Sequence, residues 1–431
     1  RLTEKEYSLF TDVPNRAFFP RGFLWDSGFQ NMIISKWDPH LSLEIIESWF
    51  ASMDETGWIP REQILGDEAR SKVPTDFQKQ TPIFANPPAL IFPLLSIWKE
   101  ADKFDDIQNR IELLLPKLFK HFHWMTQTQK SSIKGIQNRI ELLLPKLFKH
   151  FHWMTETQKS SIKEKDLTNL TNLKIDHEHL FTWRGRTKGH CLTSGLDDYP
   201  RGEVSDLELH VDLLSWMIFY ARSIALLCKE SVYQSEYQEF IELEKRYTEA
   251  LNGKKLFVRN KVHWNGQGYY DIEWVNGTFK HVVHDGYISI LPLLLGIVDC
   301  SDKERLQKLF ETMQNPEKLN SPFGLRSLSL KDELYGTEEN YWRGAIWINM
   351  NYLALKSLKN NYMHESCPLK DQAKDIYDDL RTKIINTMTR SYEKTGTIWE
   401  NYSPENGNGQ RSKHFTGWSS LIVLIISEIY D

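Results

Sequence analysis

Cysteine is scarce in this 431-residue chain. Its four cysteines, Cys191, Cys228, Cys300 and Cys367, stand far apart with no C-x-x-C pair, which excludes the ligand spacing of a structural zinc site and the density of a disulfide framework. No long basic run is present either: 53 Lys and Arg against 58 Asp and Glu leave a net charge of −5, so the electropositive footprint of a nucleic-acid-binding protein is missing. Apolar runs such as 287–298 are too short to span a bilayer, and no signal-peptide pattern opens the chain. It begins at Arg1 without a methionine, so a targeting segment is expected upstream. Strand-like alternation is sparse.

Aromatic side chains, in contrast, are plentiful. Fifteen Trp, 17 Tyr and 22 Phe within a 40% hydrophobic composition are ample for a large buried core and exclude a disordered chain. Flat indole faces also suit stacking on sugar rings, although core packing is their commoner use. Apolar residues recur at three and four over 41–53, 207–227, 237–251, 283–298, 303–313, 342–358 and 414–429, the period of one helix face. Between these segments lie connectors rich in Trp, Gly, Pro and acids: 21–29 (RGFLWDSGF), 57–63 (GWIPREQ), 181–186 (FTWRGR), 194–201 (SGLDDYPR), 339–344 (ENYWRG) and 400–409 (ENYSPENGNG). Regular helices joined by chemically rich loops predict an all-α fold, a toroid of helical hairpins with a site at one end. A polar stretch at 163–180 reads as a disordered excursion.

The segment 107–134 recurs at 136–163, differing only at Gln127 against Glu156. Solenoids need at least about three diverged units, so two near-identical copies indicate a duplication and not a repeat architecture. Each copy carries one helical face, and Pro116 and Pro145 are expected to begin or kink those helices.

Glycosidic bond cleavage needs two carboxyl groups, one protonated to donate to the leaving oxygen and one ionised to activate water or attack the sugar. Asp197 follows Ser194-Gly195-Leu196 and is adjacent to Asp198. An ionised neighbour and burial among aromatics would both hold Asp197 protonated at neutral pH. The plainer reading of this acid pair is a loop that caps a helix or accepts backbone hydrogen bonds. Glu400, between aromatics and far away in sequence, suits the base, with Glu405 and Glu339 equivalent on composition. Asp26, Arg61, Arg184, Arg186 and Arg343 are flanked by Trp or Gly; structural ion pairs explain any one of them, and their joint occurrence favours a sugar site with stacking faces and fixed polar groups.

The runs NRAFFPRGFLWDSGFQ, GWIPRE, SKVPTDFQ with ANPPAL, FTWRGR, LTSGLDDYPRG, ELHVDLLSWM, HDGYISILPLLLG, YWRGAIWINMNYLAL, WENYS and FTGWSSL, in this order from about Asn15 to Leu424, resemble the processing α-glucosidases of glycoside hydrolase family 63, the mannosyl-oligosaccharide glucosidases. The resemblance implies one (α/α)6 toroidal catalytic domain across 1–431. It implies an inverting exo-hydrolase without metal or organic cofactor, removing the outermost α-1,2-linked glucose from the triglucosylated N-glycan precursor in the endoplasmic reticulum lumen. By motif, Asp197 maps to the general acid and Glu400 to the general base, roughly 6.5–9.5 Å apart as inversion requires. Phe23, Trp25, Asp26, Phe29, Trp58, Arg61, Trp183, Arg184, Tyr341, Trp342 and Arg343 map to the walls of the terminal glucose pocket, with Asp198 orienting the loop or binding a hydroxyl.

The resemblance carries departures. One copy of the duplicated segment is surplus to the family pattern, and the family's N-terminal β-rich domain and membrane anchor are not in this chain, which is therefore expected to be N-terminally truncated. Sequons at Asn169, Asn276 and Asn401 agree with a lumenal glycoprotein, although Asn401 abuts Glu400. A trehalase-like glycosidase of the same architecture and a toroid that binds glycans without cleaving them are the alternative readings.

Overall fold

The structure is a computed structural model, and it describes residues 8–100, 133–161, 179–205, 207–252, 263–275 and 278–430. Helices dominate it. Apart from the short helices Gly66–Ser71 and Thr75–Gln78, they are in chain order α1 (Leu24–Trp37), α2 (Pro39–Ala51), α3 (91–100), α4 (Ile133–Thr157), α5 (Val211–Cys228), α6 (Gln234–Asn252), α7 (Tyr287–Leu294), α8 (Lys303–Gln314), α9 (Ile348–Ser357), α10 (Lys370–Thr395) and α11 (Ile422–Ser427). Local chemistry sets several ends. The Asp38 carboxylate accepts from the backbone N–H groups of His40 and Leu41, both at 3.0 Å, with Pro39 opening α2, and Asp302 caps α8 through the Arg305 N–H. Gly396, in the left-handed region at φ 68°, stops α10.

Two classes of helix alternate. In α5, 16 of 18 residues are buried, in α7 all eight, and in α9 nine of ten. The helix after each is amphipathic: four of 19 are buried in α6, five of 12 in α8 and eight of 26 in α10. Helices wrapped on all sides bury every face, whereas those covering them bury one stripe and solvate the rest. The wrapped elements also touch in sequence. Phe29 of α1 lies 5.7 Å from Phe92 of α3, and Phe92 lies 4.9 Å from Phe219 of α5. Next, α5 packs on α7 and α7 on α9, where Asn351 donates to the Tyr287 hydroxyl at 3.0 Å. Finally α9 packs on the 3-10 turn Trp418–Leu421, and Trp418 lies 5.7 Å from Trp25 of α1.

Three two-stranded antiparallel ribbons decorate the helices: β1 (Gly22–Phe23) with β2 (Glu62–Gln63), β3 (Asp271–Val275) with β4 (Thr278–Val282), and β5 (Trp399–Tyr402) with β6 (Gly409–Lys413).

Several sequence expectations shift. Residues 24–29, expected in a connector, begin α1: Gly28 lets that helix approach the next segment so closely that a Cβ would sit 2.4 Å from the Ala89 backbone. The 26-residue α10 has no counterpart among the apolar periods of the sequence, because its charged surface face dilutes its apolar stripe. The pattern over 342–358 yields a helix only from Ile348, since Ile346 pairs with Tyr402 in an extended bridge; likewise 283–286 is non-helical before α7, with Gly286 bridged to Leu328. Helix α5 is long and apolar enough to cross a membrane by length and composition, with 89% of it buried inside the protein.

The second copy of the duplicated segment occupies a defined place: α4 packs on α2 and α5, burying Ile136, Ile140, Leu143, Leu144, Leu147, Phe151 and Met154. Arg139 forks onto Glu47 at 2.8 and 2.9 Å. Pro145 lies inside α4 and does not begin it. The first copy up to residue 132, with Pro116, the 163–180 stretch up to residue 178, Asn169 and Asn276 lie outside the described residues. Asn401 is 1% exposed, so its sequon is closed to a glycan.

Candidate active site

The Asp197 loop is shaped by its own backbone. Leu192–Ser194 form a 3-10 turn that ends at Gly195 with φ 79°. The Cys191 N–H then donates to the Asp197 carbonyl at 2.7 Å. Gly195 lies flat against the indole of Trp25, where a Cβ would meet the ring at 2.7 Å; both the dihedral and the space demand glycine. Below the loop, buried Arg201 pairs with Asp212 at 2.5 Å and Asp271 at 2.8 Å, tying it to the start of α5 and to β3. The result turns the half-buried Asp197 side chain into a cavity of about 380 Å³.

Burial raises the Asp197 carboxyl to about 8, with Asp198, Glu62 and Glu339 pushing the same way and the Arg61 guanidinium pulling back. Asp197 is therefore protonated at neutral pH. Its side chain makes no hydrogen bond within the described residues, so the proton is free to be given to whatever enters.

Glu400 reaches the same cavity from β5. Its ribbon contains a bulge: Trp399 pairs with Lys413 but Asn401 with Gln410, so Arg411 and Ser412 both oppose Glu400. This turns the Ser412 N–H onto one Glu400 oxygen at 3.1 Å, while the Tyr341 hydroxyl donates to the other. Burial raises the Glu400 carboxyl, making it more basic than a free glutamate, against the opposing pull of Tyr341, Ser412 and Arg411.

A third carboxyl, Asp26 in the first turn of α1, lines the cavity. Burial raises it well above the usual range, reinforced by Asp12, Asp197 and Glu400. Three carboxyl groups facing one partly dry space cannot all be ionised cheaply. Arg61 and Arg21 are cations lining the same cavity; Arg61 contacts Glu62, which also accepts from Arg21 at 2.9 Å, and the β1–β2 pairing sets Phe23 opposite Glu62.

Of the residues singled out in the sequence, Phe23, Trp25, Asp26, Arg61, Asp197, Tyr341, Trp342 and Glu400 line this cavity. The others stand behind its walls. Phe29 is fully buried against Trp25 and Phe92, and the indole N–H of Trp58 donates to the Phe84 carbonyl at 3.1 Å. Trp183 is 1% exposed in the core. Arg184 spends its guanidinium on the Thr157 and Lys159 carbonyls. Arg343 donates to the Asp198 carbonyl at 2.8 Å and to Thr337 at 3.0 Å. These side chains are committed to protein partners, so the expectation that they form walls of the pocket is corrected to a supporting position.

The cavity also takes in Arg21, Glu62, His190, Glu339, Phe415 and Trp418. Arg21, Glu62, Phe415 and Trp418 lie inside or beside quoted runs, and their motifs carried the signal. Glu339, a base candidate on composition, reaches the rim and pairs there with His190 at 2.9 Å; His190 carries no pattern that separates it from ordinary loop residues. Glu405 bonds the Tyr335 hydroxyl at 2.6 Å outside the cavity, which removes it as an equivalent of Glu400.

The model of the glycosyl hydrolase family 63 C-terminal domain matches residues 2–428. The chain belongs to glycoside hydrolase family 63. It is 40% identical to a probable mannosyl-oligosaccharide glucosidase of Schizosaccharomyces pombe, over 99% of this chain and 52% of that protein. It is 36% identical to the mannosyl-oligosaccharide glucosidase of Saccharomyces cerevisiae, over 98% of this chain and 51% of that protein. The chain thus spans about half the length of these curated relatives. Among solved structures, a GH63 mannosylglycerate hydrolase from Thermus thermophilus, in complex with Tris and D-glycerate, superposes with TM-score 0.66 at 15% identity, covering 97% of this chain and 96% of that one. Neutral trehalase Nth1 of Saccharomyces cerevisiae gives 0.57 at 12% identity, covering 97% and 73%. At such identities the likeness is one of fold.

Proposed function

We propose that this family 63 chain is an inverting exo-α-glucosidase that removes the terminal α-1,2-linked glucose from the triglucosylated N-glycan precursor, working in the endoplasmic reticulum lumen. Asp197 is the general acid and Glu400 the general base. The observation that carries the reading is the pair of carboxyls facing one cavity in different surroundings: Asp197 raised to about 8 and without a side-chain hydrogen bond among the described residues, Glu400 raised by burial but held by two donors that favour its charge. Such a divergence assigns acid and base within a glycosidase pair. Asp197 protonates the glycosidic oxygen as the bond to the anomeric carbon breaks. Glu400 takes a proton from water, whose oxygen attacks that carbon from the opposite face. Trp25, Trp342 and Trp418 supply apolar ring faces, and Arg61 and Asp26 supply polar groups for the sugar hydroxyls. The contacts from α1 through α3, α5, α7 and α9 to the 418–421 turn support a closed (α/α)6 toroid, one domain with this cavity at one end.

The test is hydrolysis of an α-1,2-linked glucose disaccharide by the wild type, Asp197→Asn and Glu400→Gln, with the released anomer followed by NMR and trehalose as a second substrate. Release of β-glucose by the wild type, with both variants inactive, is expected. α-Glucose as the first product would mean retention, and a preference for trehalose would replace the substrate assignment. No hydrolysis of either by a folded protein would favour a toroid that binds glycans without cleaving them.

A further inference from the structure

Arg411 lies outside every motif that drew attention in the sequence, yet it touches each layer around Glu400. It stands in the bulge opposite Glu400 with φ 63°, and on the strap that it contacts Glu338 and Asn340 lie at φ 53° and 50°. Three non-glycine residues in the left-handed region at one contact mark a backbone held by its surroundings, a frequent companion of functional sites. One guanidinium nitrogen of Arg411 donates to the Glu339 carbonyl at 2.6 Å and reaches that of Asn340 at 3.3 Å. The guanidinium also lies 5.3 Å from the centroid of the Tyr341 ring. That ring packs edge-on against Trp347 at 4.8 Å, and its hydroxyl donates to Glu400.

We propose that Arg411 is a positioning residue that clamps the 339–341 strap to β6, keeps the Tyr341 hydroxyl on Glu400, and thereby keeps Glu400 in the charged state that a base requires. The inference rests on the reading of Glu400 as the base. The exposed guanidinium closes the Tyr341 face on the solvent side, while Trp347 closes the core side. Without the clamp, the strap and the tyrosine are free to move away. Glu400 then loses a hydrogen bond to its charged form and a nearby positive charge, both of which lower its pKa. The other titratable groups that line the cavity with Glu400 are Asp26 on α1, Asp197 on its loop, Glu62 with the cations Arg21 and Arg61 on the β1–β2 side, and the rim pair His190 and Glu339; the Asp26 and Asp197 carboxyls are themselves raised by burial. Arg411 is the cation that acts on Glu400 from β6.

The experiment is the pH profile of kcat/KM on an α-1,2-linked glucose disaccharide for wild type, Arg411→Ala, Arg411→Lys, Tyr341→Phe and Arg411→Ala/Tyr341→Phe, with Glu400→Gln alongside. A base is lost as pH falls through its pKa, so a raised Glu400 pKa moves the acid limb to higher pH. Arg411→Ala, which removes a positive charge as well as the clamp, should move it up by about one unit; Tyr341→Phe, which removes the hydrogen bond alone, should move it up by less, and the double variant no further than Arg411→Ala, because the tyrosine acts only through the hydrogen bond that the clamp holds. Arg411→Lys should return the limb close to its wild-type position, since a single nitrogen makes both carbonyl contacts. An acid limb that stays in place in Arg411→Ala, or a lysine variant no better than alanine, would overturn the inference while Glu400→Gln stays inactive. Hydrolysis surviving in Glu400→Gln would instead remove the base assignment and this inference together. Should Arg411→Ala unfold, the limbs of Arg411→Lys and Tyr341→Phe decide it.

Discussion

Asp198 accepts the backbone N–H groups of Tyr341 at 2.9 Å and Trp342 at 2.6 Å, one on each carboxylate oxygen. The acid beside Asp197 therefore fastens the 341–342 segment to the Asp197 loop from below, and is 2% exposed. Asp198→Asn keeps one acceptor but turns an amide N–H₂ toward the second backbone N–H. One buried donor then loses its partner, at a cost of about 1–3 kcal/mol. We expect a lowered Tm and a kcat reduced on the order of 10²-fold through misplacement of Asp197 and Tyr341, measured by calorimetry and steady-state kinetics. Wild-type kcat in Asp198→Asn would show that the two segments hold their places without it.

Asp197 gives a paired prediction in pH. With its carboxyl at about 8 in the folded protein and about 3.9 when unfolded, the folded state holds a proton that the unfolded state has released between those values. Stability from this group is complete below about pH 4 and is lost as pH rises through about 8. Asparagine mimics the protonated form at every pH. Asp197→Asn should therefore melt higher than wild type by roughly 2–4 °C at pH 8, with the gap closing at about pH 4, while its hydrolysis is abolished. The wild-type rate should fall on the alkaline side near pH 8 as the acid deprotonates. A variant that melts at the wild-type temperature at both pH values would contradict the raised carboxyl.

Gly195 offers a steric test. Alanine there meets a left-handed dihedral and the Trp25 ring at 2.7 Å, so either the loop or the indole must shift. We expect Gly195→Ala to destabilise by about 1–3 kcal/mol and to weaken substrate binding, seen as a raised KM, because Trp25 walls the cavity. An unchanged KM with an unchanged melting curve would mean that the loop accommodates the methyl group without moving the ring.

The sequence was legible wherever a local rule and the fold agree. The apolar period over 207–227 and the Ser194-Gly195 step before Asp197 announce their structure through propensities that operate within a few residues. Legibility stopped where tertiary contacts decide. Trp58 and Trp183 have the composition of sugar platforms, but indole faces serve a core equally well, and only packing separates the two uses. Arg184 and Arg343 read as substrate ligands until their carbonyl partners are seen. Helix α1 was hidden because its buried, Gly- and Ser-containing first turns lack any amphipathic period, and α10 because its polar face outnumbers its apolar stripe. Arg411 was invisible for another reason: its importance lies in a bulge register, which no spacing within a single strand encodes.

The duplicated segment yields the last prediction. Helix α4, from the second copy, fills the space between α2 and α5 with a continuous apolar face, including Ile140, Leu144, Phe151 and Met154, all fully buried. Since the copies differ only at Gln127 against Glu156, deleting residues 107–135 removes only the first three residues of α4, Ile133–Gly135, and keeps residues 136–157 with every buried side chain named above. An insertion of this length between packed helices costs little in loop closure, because that cost grows only as the logarithm of length. The deletion should therefore leave Tm within about 2 °C of the parent and kcat/KM unchanged. Replacing Leu144 and Phe151 with alanine in the full chain should destabilise by about 2–5 kcal/mol at each position, whereas the same changes at Leu115 and Phe122 of the first copy should have little effect. Equal sensitivity of the two copies would mean that either one can fill the α4 position, and would overturn the assignment of the second copy to it.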